Sequence, residues 1–284
     1  MRRKVMNDLS TALEIIQKNY KKYNESVPIV KEFVLGYRWF MVSDTKDRLS
    51  MALRVGQEKE LDEYEKILKS LIGRSADECV YELIERSDPE LRIVASCLCN
   101  LLSKPFNSAE RLEDRGIVRT EGRIFDYDVK DKKVGIIGYG LYNEVFLGKC
   151  KEFHAFDFRD PKGILNYKIG NETKVYPENI CWHLGNNALE HKDVLESLDI
   201  VVMTGCTIVN NTYRDILKMC KNAKIRGIYG PSAELCPEYL FDIGYNYIFS
   251  ASVRDKEAFY KSTFAAIPEG MDLSYMDCYE LSRA

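Results

Sequence analysis

At 284 residues, the chain is long enough for two domains that each bury a core, and too long for one of ordinary size. Lys+Arg 41 stand against Asp+Glu 44, a net charge of -3, and no basic block is interleaved with aromatics, which excludes the electrostatic footprint of a nucleic-acid binder. No run approaches about 18 consecutive apolar residues, so no segment reads as spanning a membrane.

The opening "MRRKVMNDLSTALEIIQKNY" spaces its apolar residues at helical intervals, the pattern of an amphipathic helix and not of a signal peptide. Three short runs follow, "IVKEFVLG", "YRWFMVSD" and "RLSMALRV", whose β-branched and aromatic residues predict an antiparallel meander. "ELDEYEKILKSLIG" puts Leu61, Tyr64, Ile67, Leu68 and Leu71 on one helical face and ends at Gly73 as C-cap. "SADECVYELIE" opens with Ser75 and Glu78 in a capping-box pattern. "DPELRIVASCLCNLL" has Asp88 as cap and Pro89 in the first helical position, then becomes almost wholly apolar, which predicts a buried helix. Residues 1–110 therefore read as a smaller α+β domain, and the charged, aperiodic 111–132 as a linker.

From Val134 the pattern changes. "VGIIG", "FHAFD", "DIVVMTG", "KIRGIYG" and "YNYIFSAS" are apolar runs separated by helical segments, as in a parallel sheet covered on both faces, and they assign 133–270 to an α/β domain. The last residues, 271–284, carry no strong pattern and read as a loosely held tail. Nine cysteines, an odd number scattered through these elements, form no disulfide framework and imply a reducing, cytoplasmic setting.

"VGIIGYGLYNE" looks like a strand running into a phosphate-cradling turn. Gly138, Tyr139 and Gly140 fit such a turn at the start of a helix, and Asp157, at the end of the next strand, stands where an acidic residue would bind a ribose hydroxyl. Asn143 departs from the pattern, because the third glycine normally lets the helix pack closely on the strand. Asp157 is accordingly expected to serve ligand choice and not folding. Two later strand ends, Thr204 to Thr212 and Gly230 to Ser232, supply small and hydroxyl-bearing turns that should line the same crevice, since ligands of open α/β sheets sit outside the carboxyl ends of strands.

The set "VGIIGYG", "DIVVMTGCTIVNNT" and "YGPSAELCPEYLFDIG" resembles the carboxyl-terminal domain of the heavy-metal chelation family, a domain of unknown function with a Rossmann-like fold. "LGYRWFMV" and "RIVASCLCNLL" resemble its usual amino-terminal partner, which has the fold of an enolase amino-terminal domain. The resemblance implies Thr204, Gly205, Thr207, Asn210, Thr212, Gly230, Pro231 and Ser232 as site residues, together with Asn100 in the buried helix. Cys206 and Cys236 are departures from it.

Three functions stand open at this point. The first is binding, with or without chemistry, of a small anionic or metal-linked molecule in a crevice between the domains, with a transition metal or metal-linked organic cofactor. The second is an NAD(P)- or other nucleotide-dependent enzyme built on Gly138, Gly140 and Asp157, and the third a non-catalytic cofactor sensor. A homo-oligomer stays open as a partner. The candidate soft ligands are Cys97 and Cys99, Cys181 and His183, Cys206 and Cys236. Cys97 and Cys99 lie on a helix at a spacing that makes them diverge, whereas "CWH" in extended form presents Cys181 and His183 on one side. His154 reads as a structural strand residue and His191 as a solvated one. Cys206, just before a helix, could be acidified there, or could simply fill a tight turn.

Overall fold

The computed structural model describes residues 8–36, 39–54, 62–86, 88–164, 166–168, 173–175, 180–265 and 273–284. The expected positions 1–7 of the first helix, Leu61 of the second and 271–272 of the tail lie outside the described residues.

Helix α1 (Asp8–Lys22) buries Leu9, Ala12, Leu13, Ile16 and Tyr20, a single stripe at helical spacing. Strands β1 (Val30–Leu35), β2 (Trp39–Asp44) and β3 (Leu49–Leu53) form the expected antiparallel meander in the order β1-β2-β3. Helices α2 (Asp62–Leu71), α3 (Ala76–Ile84) and α4 (Pro89–Ser103) follow. Asp88 caps α4 as read, accepting from Glu90 N at 2.9 Å and Leu91 N at 3.1 Å. The capping box at α3 does not form: the Ser75 hydroxyl turns to the Asp77 carboxylate instead of the helix N–H groups.

The remaining elements are α5 (Ala109–Glu113), β4 (Ile117–Glu121), β5 (Lys133–Ile137), β6 (Glu152–Asp157), β7 (Asn166–Lys168), β8 (Thr173–Val175), β9 (Ile180–Leu184), α6 (Lys192–Ser197), β10 (Ile200–Thr204), α7 (Cys206–Val209), α8 (Tyr213–Met219), β11 (Ile225–Tyr229), α9 (Pro237–Asp242), β12 (Tyr247–Val253), α10 (Lys256–Ala265) and β13 (Met276–Arg283). Strands β7 and β8 make a small hairpin, and the others build an eight-stranded sheet ordered β4-β13-β12-β11-β10-β5-β6-β9. Its six strands from β12 to β9 are mutually parallel. Counted along the chain, they stand in the order 3-2-1-4-5-6, which reverses direction between β5 and β10.

Two stretches differ from the sequence reading. Residues 276–283, expected as a loose tail, are β13, antiparallel to β12, and residues 117–121 of the expected linker are β4, antiparallel to β13. Tyr279 and Leu281 point from β13 into the core while Glu280, on the opposite face, is buried as it accepts from Ile124 N, Phe125 N and the Tyr247 hydroxyl, so partners on both faces decided the outcome where the local pattern looked weak.

Each face of the large sheet has its own core. Val134, Ile136, Phe153, Val202 and Phe249 pack with Phe125, Tyr142 and Phe146 on one side. On the other, Ile137, Phe156, Val201 and Ile228 belong to one continuous cluster with Leu13, Val42, Leu98 and Leu102 of the first hundred residues. Helix α4 lies at the centre of that junction, which is why its sequence is apolar nearly all round.

Candidate functional site at the strand switch point

At the end of β5 the chain turns through Gly138, Tyr139 and Gly140. Gly138 has φ +85°, and a Cβ there would stand 2.6 Å from Thr204 Cγ2, so conformation and close approach both demand glycine. From β11, Tyr229 donates its hydroxyl to the Gly138 carbonyl, and its ring stacks on Tyr142 with centroids 5.0 Å apart. The helix expected after the turn is absent. Leu141–Val145 form a short 3-10 segment and turns continue to Lys151. Tyr142 and Phe146 cause this by sinking into the aromatic cluster with Phe125 and Phe249, and Asn143 is buried at 6% exposure as its N–H bonds back to the Gly140 carbonyl. A pyrophosphate seat needs the aligned N–H groups of a helix start, and this turn does not supply one.

Asp157 ends β6 at the expected place, but its carboxylate is already engaged. Oδ1 accepts from the backbone N–H and Nε of Arg159, at 2.8 and 3.0 Å, and Oδ2 from Tyr139 N and Arg159 Nη2, both at 2.8 Å. A carboxylate has about four lone-pair sites, and all are filled. Arg159 also donates to the Tyr139 carbonyl, so it clasps the glycine turn to the β6 terminus. Its partner Asp157 holds the Arg159 guanidinium charged, raised above its usual range, and the side chain is still 47% exposed. The sequence motifs by themselves do not single out Arg159 or Tyr229. Their signal was readable, since each lies within two residues of a residue that those motifs do single out.

The turns after β10 and β11 pack on each other. A Cβ on Gly205 would meet Ala233 N at 2.6 Å and the Ser232 carbonyl carbon at 2.7 Å. Thr207, buried, donates its hydroxyl to the Thr204 carbonyl at 2.8 Å. Ser232 and Asn100 face the first half of the chain: Ser232 Oγ accepts from Leu53 N at 2.9 Å, and Asn100 Nδ2 donates to the Met51 and Pro231 carbonyls, both at 3.3 Å. Gly230 turns with φ +98° to let Pro231 enter the core. Asn210 and Thr212 bond to each other at the far end of α7, the Asn210 Oδ1 accepting from Thr212 N and Oγ1 at 3.2 and 2.7 Å. Thus Gly138, Tyr139, Gly140, Asp157, Thr204, Gly205, Cys206 and Thr207 gather at the strand ends, Asn100, Pro231 and Ser232 form the joint behind them, and Asn210 and Thr212 stand apart.

The buried thiols here are quiet. Cys206 takes a hydrogen bond from Thr204 Oγ1 at 3.2 Å, and burial pushes its thiol up to about 11, opposite to the acidification considered from sequence. Burial likewise drives Cys99 up to about 12; Cys97 is buried too and donates to the Ser50 carbonyl at 3.3 Å. Cys236, also buried, donates to Glu238 Oε2 at 3.0 Å. Cys181 and His183 share one face of β9, as the extended spacing required. Burial, with His191 and His154 close by, holds His183 down at about 4. Among the described residues, no three His, Cys, Asp or Glu side chains already stand in an arrangement that could hold a metal ion.

Residues 124–271 match the model of the DUF364 family, described as "Putative heavy-metal chelation". An uncharacterized protein of Methanocaldococcus jannaschii is 33% identical over 125 residues, which span 44% of this chain and 42% of that relative's length. The crystal structure of a DUF364-family protein of unknown function from Pyrococcus horikoshii aligns with a TM-score of 0.65 at 19% identity, over 95% of this chain and 98% of that one. One from Desulfitobacterium hafniense, also of unknown function, aligns with a TM-score of 0.65 at 16% identity, over 95% of this chain and 99% of the other. At these identities the structures speak for the fold alone, while the family model matches more than half of the sequence. With its glycine turn, its Thr204–Thr212 segment and its Gly-Pro-Ser turn all inside the matched region, the chain belongs to the DUF364 family.

Proposed function

We propose that the chain binds a small anionic or metal-linked molecule in the crevice where β5 and β10 part, and that it does not hold a dinucleotide in the usual way. In this reading the second half is a Rossmann-like binding domain, and the first half an enolase amino-terminal-like partner that backs the site through α4. The strand order supports it, because ligands of such sheets bind at the reversal point outside the carboxyl ends. The observation that carries it is the half-exposed Arg159 guanidinium beside the glycine turn, a fixed cation at the mouth of that crevice. The family description supports a metal-linked ligand over a bare anion.

The nucleotide enzyme has the glycine and aspartate spacing in its favour. Against it stand the 3-10 segment in place of a helix and the filled lone pairs of Asp157. Native mass spectrometry of the purified full chain should show a retained low-mass anion that is lost in Arg159→Ala. Titration calorimetry with NAD, NADP or S-adenosylmethionine should give dissociation constants of about 1 mM or weaker, roughly 4 kcal/mol of binding. Micromolar binding of any of the three, lost in Gly138→Val, would overturn the reading and promote the nucleotide enzyme.

A further inference from the structure

The chain has three histidines, at positions 154, 183 and 191, and the fold brings all of them together at the β6–β9 edge of the large sheet. His154 lies in β6 and His183 in its parallel neighbour β9, with His154 Nδ1 3.1 Å from His183 Nε2. His191, just before α6, stands with its ring centroid 4.5 Å from that of His183. The set grades from buried His154 through half-buried His183 to exposed His191, and His191 lines a surface cleft with Glu190, Lys192, Asp193 and Val194.

The hydrogen bonds assign the tautomers. Glu152 Oε2, itself held by Lys133 Nζ at 3.2 Å, lies 3.4 Å from His154 Nε2. A carboxylate only accepts, so the His154 proton sits on Nε2 and Nδ1 presents a bare lone pair to the His183 N–H. A carboxylate behind one imidazole nitrogen, with the other free, is the outer-shell arrangement that orients a metal-ligating histidine. Phe156, stacked on His183 at 4.4 Å and 12°, fixes the second ring. Two imidazole nitrogens each about 2.0–2.1 Å from one tetrahedral ion stand about 3.3 Å apart, so the observed pair needs a small parting and a turn of both lone pairs off the line between the nitrogens.

We propose that His154 Nδ1, His183 Nε2 and His191 form a binding site for a borderline divalent transition-metal ion such as zinc or nickel, separate from the switch-point crevice. The shared proton is displaced on binding: His183 moves its proton to Nδ1, which frees Nε2 as ligand. The exposed His191 ring rotates about its side-chain torsions to add the third nitrogen, and water completes the shell. Three imidazoles with an open position suit these ions better than calcium or magnesium, which take oxygen ligands.

The test is calorimetric titration of the metal-stripped full chain with Zn²⁺ and, separately, Ni²⁺. One equivalent should bind with a micromolar or tighter dissociation constant, while Mg²⁺ gives no signal. His183→Gln and the exposed His191→Gln should each weaken binding at least about tenfold, and Glu152→Gln by about 10-fold through loss of orientation. Arg159→Ala should leave the metal titration unchanged, which separates this site from the crevice. Absence of stoichiometric binding, or binding that survives both histidine substitutions, overturns the proposal. So does binding lost in Cys181→Ser but kept in folded His183→Gln.

Discussion

Gly205 has φ -56°, an ordinary helical value, so its need for glycine comes from space and not from conformation. The atoms a Cβ would strike at 2.6 and 2.7 Å are backbone atoms of Ser232 and Ala233, which cannot swing aside as a side chain would. Gly205→Ala is expected to cost about 1–3 kcal/mol, read as a lowered midpoint in urea with an unchanged slope. At Asp157 the structure alters the expectation drawn from position alone. With 8% exposure and four donors around its carboxylate, Asp157→Asn should lose about 2 kcal/mol of stability whether or not ligand binding changes. A thermal midpoint equal to that of the parent chain would show that the clasp with Arg159 contributes little.

Among the elements, the two helix starts before α3 and α4 offer a matched comparison. Both were read as caps from the same residue vocabulary, yet only Asp88 bonds to helix N–H groups, while Ser75 spends its hydroxyl on Asp77. Asp88→Ala should destabilise by about 1 kcal/mol and Ser75→Ala by a few tenths, roughly, in parallel denaturation curves. Equal losses would mean that Ser75 caps in solution. The stretch after β5 makes the complementary point. Its glycine spacing promised a helix, but Tyr142 and Phe146 had a larger apolar area to bury beneath the sheet, and burial outweighs the small local preference for one helical turn over another.

Across the whole molecule, the halves are joined by buried polar contacts as well as by a shared core. Lys104 at the end of α4 reaches Glu234 at 3.0 Å, the carboxylate side chain being 2% exposed, and Ser50 adds a bond to the same group at 3.3 Å. Lys104→Ala removes one partner of a buried pair and leaves a charge without its counterion. It should cost about 3–5 kcal/mol, more than Lys104→Met combined with Glu234→Gln. A double variant less stable than the single one would contradict this account. The sheet edge gives a second test. Strand β13 lies between β12 and β4, so deleting residues 276–284 strips β12 of a neighbour and leaves β4 unpaired. The shortened chain should aggregate or expose its apolar surface to a hydrophobic dye. Proteases should spare residues 117–121 and 276–283 in the full chain, in contrast to a free linker and tail.

The sequence by itself determined the α/β class, the antiparallel meander, the buried helix with its Asp88 cap, and the strand ends at Gly138, Asp157, Thr204 and Gly230. These are local matters, written in periodicity, cap chemistry and turn residues a few positions apart. Only the tertiary structure decided that residues 276–283 are a strand, because a strand inserted between two others is chosen by its neighbours and carries little signal of its own. It also decided that Arg159 fills the carboxylate of Asp157, that Asn100 and Ser232 join the halves, and that His154, His183 and His191 meet. Contacts between residues 29 or 131 positions apart depend on which strands become neighbours, and no pattern within a single segment encodes that pairing.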